Sequence, residues 1–220
     1  MMPSRDIHPA PPRKRPTPQA LEDAAACLLS GGIVCHPTET CYGFACDITH
    51  CDAVERLFLL KKRAFSKPVS ALFASVEEAK NYVAWNDAAE LLVWALPGPL
   101  TIILPVKSDA PFPLFPGPYA RHSSAAMTIG LRVSSHPVAA ALARLAGRPV
   151  STTSANISTL PEPYDIETMM SQCSEAGVQP DFILDYGTLP RVPPSTIVDC
   201  SDGRARITRQ GSLRIDCERL

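Results

Sequence analysis

Apolar positions along this chain recur with two periods, and the switching between them predicts its elements. Leu21, Ala24, Ala25, Leu28 and Leu29 fall at helical spacing behind Thr17 and Pro18, an N-cap and a first-turn proline, and Gly31 and Gly32 stop the run. That is a first helix. "GIVCH" then reads as a short buried strand running into "CHPTETCYGFACDI". Val54, Leu57 and Phe58 share one face of a second helix, from about Asp52 to Lys61, followed by the cationic "KKRAFSK". "SALFA" reads as a strand, and Ser75 with Glu78 forms a capping box that opens a third helix. "NDAAELLVWALPG" predicts a fourth, ending at Pro97 and Gly98.

"LTIILPV" and "MTIGLRV" are strands on either side of the proline-rich stretch 108–126, a connection long enough to be a functional loop. "HPVAAALARLAG" is a helix closed by Gly147, "PVSTTSAN" a strand that emerges into hydroxyls, and "IETMMSQCSEAG" a further helix. "DFILDYG", "STIVDCS" and "ARITRQG" complete the pattern as short strands. Alternation of this kind implies a sheet covered by helices. The expected organisation is a disordered arm over 1–16, one domain over 17–213 and a tail over 214–220.

Composition narrows the function classes. The chain has 220 residues, 45% hydrophobic and 20% charged, the balance of a globular domain. Its formal charge of -1, from 21 basic and 22 acidic residues, supplies no field that would draw it onto nucleic acid or anionic lipid. Any anion must therefore be held locally. Arg13, Lys14 and Arg15 in the arm form one candidate contact for RNA, although such runs are mostly solvated. No apolar run approaches the roughly 18 residues that span a bilayer, and the opening lacks a signal-peptide core, so the expected location is the cytoplasm. The 8 cysteines include Cys41, Cys46 and Cys51 near His36 and His50, without a CxxC pair. Reduced, buried thiols are the expectation, with metal ligation the alternative.

Neither common glycine-rich phosphate cradle is present, nor is GxSxG. Separated clusters of cations and hydroxyls remain. Lys61, Lys62, Arg63 and Lys67 follow a helix end, where the macrodipole favours cations, and they also suit a polyphosphate. Arg132 sits between Leu131 and Val133 on an apolar strand and points away from both. In a sheet covered on both faces its charge must meet a buried anion. Thr152, Ser154 and Asn156, two apart, share one face at a strand end, where open sheets bind ligands.

The ordered series "GGIVCHPTETCYGF", "KKRAFSKPV", "LPGPLTIIL", "TIGLRVSSHP", "VSTTSANIS", "STIVD" and "ITRQG" resembles the YrdC family of threonylcarbamoyl-AMP synthases, from about residue 18 to residue 213. The resemblance implies an α+β fold: a twisted mixed β-sheet flanked by helices around a large basic concavity. It implies an enzyme that joins ATP, L-threonine and bicarbonate into threonylcarbamoyl-AMP and pyrophosphate, with Mg²⁺ carried mainly on ATP. A partner transferase would then modify tRNA. Thr40, Arg132, Ser154 and Ser195 would contact threonine, and Arg63, Lys67, Thr128, Thr152 and Arg209 would contact ATP. Lys61 and Asn156 belong to the KxR and SxN signatures, and with Arg63 form the expected catalytic set.

The chain departs from the family at three positions: Leu72 where longer relatives carry histidine, Thr159 where glycine is usual, and Glu162 where some relatives have a small hydroxyl residue. Two other readings stand beside the main one. One is a carbamoyl-adenylating module of the hydrogenase-maturation type. The other is a non-catalytic RNA-binding or ribosome-assembly factor, which the neutral total charge weakens.

Overall fold

The computed structural model describes residues 10–64, 69–111, 114 and 127–216. In chain order its elements are β1 (Arg13–Lys14), α1 (Pro18–Leu29), β2 (Val34–Pro37), β3 (Tyr42–Ala45), α2 (Cys51–Leu60), β4 (Ser70–Leu72), α3 (Val76–Lys80), α4 (Asp87–Glu90), β5 (Leu100–Pro105), β6 (Thr128–Arg132), α5 (Pro137–Ala146), β7 (Val150–Ser154), α6 (Ile166–Ala176), β8 (Phe182–Leu184), β9 (Thr196–Asp199) and β10 (Arg206–Arg209). Among the described residues the ten strands form one sheet in the order β1-β8-β2-β3-β7-β4-β6-β5-β9-β10. The sheet is mixed: β8 with β2, β4 with β6, and β5 with β9 run parallel, whereas β3 with β7 and β5 with β6 run antiparallel.

The helix starts form for the reasons their sequences indicate. Thr17 Oγ1 accepts from Ala20 N at 3.3 Å, and Ser75 Oγ accepts from Glu78 N at 3.1 Å while Glu78 Oε2 accepts from Ala74 N at 2.6 Å. Gly147 ends α5 in the left-handed conformation, at φ 64°.

Side-chain alternation divides the sheet into unlike faces. Phe44, Ala71, Ile102, Ile129, Leu131 and Val198 point into the larger core, shared with α2 residues Val54, Leu57 and Phe58. On the opposite face α1 and α5 cover one end, burying Val34, Leu72 and Val150 against Leu28 and Leu142. The rest of that second face carries Ser70, Thr128, Gly130, Arg132 and Thr152, and it lines a cavity. Helices flank the sheet as the alternation predicts, but the condition of full coverage on both faces, attached to Arg132, is not met here. Coverage stops where the hydroxyls begin.

Three local expectations change. Arg13–Lys14, assigned to the disordered arm, pairs with β8 in parallel. Arg13 bonds Glu167 and Asp185 at 2.6 and 2.7 Å, and Lys14 bonds Asp23 at 2.8 Å, so two of the arm's three adjacent cations are engaged in ion pairs. The stretch after "GIVCH" doubles back as a β2–β3 hairpin because Thr38 Oγ1 accepts from Thr40 N and Cys41 N, both at 3.2 Å, and donates to Cys41 O. The fourth helix is one turn, α4, then a separate 3-10 turn over Val93–Ala95. Pro97 holds Leu96 extended at ψ 136°, and Leu91 and Trp94 stay exposed, so no continuous apolar stripe anchors a longer helix.

All seven described cysteines are free, and no group of three or more metal-ligating residues occurs among the described residues. No described helix is long and apolar enough to cross a membrane. Most of the 108–126 connection, like residues 1–9 of the arm and 217–220 of the tail, lies outside the described residues.

Candidate active site

A cavity of about 440 Å³ opens on the uncovered part of the second sheet face, within the size range of small-molecule sites. Thr40, Arg63, Thr128, Arg132, Thr152, Ser154, Ser195 and Arg209 all line it, although they come from segments far apart in the chain. Lys67 lies outside the described residues. Lys61 and Asn156 stand beside the cavity without lining it.

Lys61, grouped in the sequence with the exposed-looking cations after α2, is buried. Its side chain is 1% exposed, and Nζ donates to Ser154 O, to Asn156 O at 2.8 Å and to Asn156 Oδ1 at 3.2 Å. Burial pushes the ammonium down to about 7, and the charge of Arg63 adds to the effect. Lys61 therefore ties the end of α2 to the end of β7. Ser154 Oγ donates to Asn156 Oδ1 at 2.6 Å, and Asn156 Nδ2 donates to Leu160 O at 2.5 Å, so the SxN signature holds its own turn. Between Lys61 and Arg63 the chain passes through Lys62 at φ 47°. This left-handed residue reverses direction and brings Arg63 to the cavity wall.

Arg132 does meet an anion, and the anion belongs to the protein. Its Nη2 donates to Glu39 Oε1 at 2.5 Å, and Ser134 Oγ donates to Glu39 Oε2. Burial raises the pKa of the Glu39 carboxyl, but the Arg132 charge and the Ser134 hydroxyl outweigh it and hold the group below the usual carboxylate range. Arg132 Nε, also buried, has no hydrogen-bond partner among the described residues. One edge of the guanidinium is thus fixed, and the residue keeps donor capacity for a planar anion.

At the other end Arg209 is aligned by Ser195, donating from Nε to Ser195 O and from Nη2 to Ser195 Oγ, each at 3.0 Å. Ser195 Oγ also shares a hydrogen bond of 2.9 Å with Thr101 Oγ1. The turn after Arg209 packs so closely that a Cβ on Gly211 would lie 2.0 Å from Pro194 O, which only glycine avoids. Burial and the neighbouring Arg132 lower the Arg209 pKa, with Glu162 opposing. On the floor, a Cβ on Gly130 would lie 2.7 Å from Ser70 Oγ and 3.0 Å from Thr101 Cγ2. The missing side chain there leaves room for Ser70 and Thr101 to approach the β6 backbone.

Sequence reasoning missed Glu39, Ser70, Thr101, Ser134 and Asp199. Glu39 had a visible signal, since it stands between two threonines within a largely apolar stretch. Thr101 and Asp199 interrupt apolar strands in the same way that Arg132 does.

A family model named for Sua5, YciO and YrdC, and described as telomere recombination, matches residues 26–211. The chain belongs to the Sua5/YciO/YrdC family. This family member is 30% identical over 195 residues to a protein named threonylcarbamoyl-AMP synthase from Photobacterium profundum, across 87% of this chain and 98% of that one. A protein of the same name from Nitrosococcus oceani is 33% identical over 183 residues, covering 82% and 93% of the two chains. Among solved structures, P. abyssi Sua5 complexed with L-threonine superposes with a TM-score of 0.77 at 28% identity, over 93% of this chain and 57% of that one. The present family member thus spans little more than half of that Sua5 chain. E. coli YciO matches with a TM-score of 0.75 at 25% identity, over 92% and 93% of the chains. A full-length HypF in a phosphate- and nucleotide-bound form shares the fold at 22% identity, with a TM-score of 0.73.

Proposed function

We propose that this protein is an L-threonylcarbamoyladenylate synthase, joining L-threonine, bicarbonate or CO2 derived from it, and ATP into threonylcarbamoyl-AMP and pyrophosphate. One observation carries the reading: cations and hydroxyls from separate segments share a single cavity large enough for small substrates. The proteins of that name that it resembles over nearly their whole length add to it.

Thr40, Arg132, Ser154 and Ser195 receive the amino acid, with the spare donors of Arg132 on its carboxylate. Arg63, Lys67, Thr128, Thr152 and Arg209 receive ATP. Lys61 and Asn156 act behind the wall, fixing Ser154. The threonine amine captures CO2 as a carbamate, whose carboxylate oxygen attacks the α-phosphorus and expels pyrophosphate. Such a displacement needs alignment of two anions and dispersal of charge more than covalent help. Arg63 and Arg209 supply cationic donors for that charge. Mg²⁺ would arrive on the phosphates of ATP, its usual oxygen ligands in phosphoryl chemistry. The product would pass to a threonylcarbamoyl transferase acting on tRNA, and the enzyme would work in the cytoplasm.

A hydrogenase-maturation type of activity is the second reading, favoured by the fold shared with HypF. The test is pyrophosphate release from ATP across amino acids, with and without bicarbonate, and with carbamoyl phosphate as the rival substrate. Release that needs both threonine and bicarbonate is expected. Release driven by carbamoyl phosphate alone would transfer the chain to the second class.

A further inference from the structure

Glu162 lines the cavity, and the proposed chemistry leaves it without a task. Its carboxylate makes no hydrogen bond or ion pair with the described residues, although three arginines line the same space. Two of these are already oriented elsewhere, Arg132 by Glu39 and Arg209 by Ser195. The other cavity acid, Asp199, differs: its Oδ1 accepts from Ser201 N at 2.9 Å.

The segment that carries Glu162 is held on both sides. Leu160 O accepts from Asn156 Nδ2, Pro161 O from Gln172 Nε2 at 3.0 Å, and Pro163 O from Tyr42 N at 3.0 Å. An anion held at a cavity wall by fixed backbone is preorganised for a cation. The ligand proposed for this cavity supplies one, because an amino acid carries an ammonium group two bonds from its carboxylate carbon.

We infer that Glu162 is the receptor for the ammonium group of the amino-acid substrate, and that it makes the site select amine-bearing ligands. The inference rests on the synthase reading and deepens it. Arg132 takes the carboxylate, Glu162 takes the ammonium, and the cavity matches a zwitterion. Both charges reach the same neighbours. Burial raises the Cys41 thiol to about 11, with Arg132 drawing it down and Glu162 pushing it up, and Arg209 feels the same two residues. The carboxylate also disfavours an anionic ligand such as carbamoyl phosphate at that end of the site.

The test is calorimetric titration of the full chain and of Glu162→Gln with L-threonine and with 3-hydroxybutyrate, the same carbon skeleton without the amine. Wild type should prefer threonine by about tenfold or more, the loss expected for one charge-assisted hydrogen bond, and the variant should lose most of that preference. An unchanged melting temperature shows that the variant is folded. If the variant keeps the wild-type preference, or weakens only Mg·ATP binding, the inference is overturned while the synthase reading stands. If wild type binds neither compound in the presence or absence of ATP, both fall together.

Discussion

Arg132 and Lys61 are both buried cations, and the sequence distinguished them only in part. The apolar neighbours of Arg132 demanded an anion, which was the right inference, but its identity depended on a hairpin that brings Glu39 across from another segment. Lys61 looked like its cationic neighbours because its acceptors are carbonyl oxygens more than ninety residues away, invisible to any local pattern. His36 is a third buried ionisable group. Its Nδ1 donates to Pro37 O at 3.1 Å, and Nε2 has no partner among the described residues. Burial pushes its pKa from 6.5 down to about 4. The nearby His136 and Arg132 act in the same direction, while the Pro37 carbonyl and Glu39 oppose. Between these two values the unfolded chain binds more protons than the folded one, so stability is full above pH 6.5 and falls as pH drops through about 4. Urea unfolding of wild type and His36→Gln across that window should show wild type losing more, by about 3 kcal/mol. Parallel losses in the two proteins would mean that His36 is not held neutral.

At the scale of elements, capped helices and alternating strands were legible, because caps and side-chain alternation are local. The β2–β3 hairpin and the broken α4 region were not: one depends on the Thr38 hydroxyl gathering its own turn, the other on Pro97 and on which apolar residues find a core. The connection from β7 to α6 carries a measurable consequence. Thr159 sits there at φ 77°, a conformation that glycine tolerates and a β-branched residue resists. Thr159 is exposed and its side chain makes no hydrogen bond with the described residues, so relief of backbone strain should dominate. Thr159→Gly is expected to stabilise the protein by about 1 kcal/mol, a rise in melting temperature of about 2–4 °C. A lower melting temperature would show that the loop draws its stability from the threonine side chain.

The whole molecule makes its site by covering its sheet unequally. α1 and α5 close one end of the second face, and the same alternation that buries Ile129 and Leu131 turns Thr128, Gly130 and Arg132 toward the part left open. The family resemblance named eight of the lining residues, but neither it nor the local pattern revealed that part of a sheet face would be left uncovered to gather them. Although the net charge of the chain is only -1, Arg63, Arg132 and Arg209 are concentrated in one hollow, the local concentration of cations that the proposed anionic substrates require. The most direct measurement of this account is mass spectrometry of the product formed from ATP, L-threonine and ¹³C-bicarbonate. A threonylcarbamoyl-adenylate carrying the label in its carbamoyl carbon is predicted. An unlabelled adenylate, or ATP consumption that is indifferent to threonine, would contradict it.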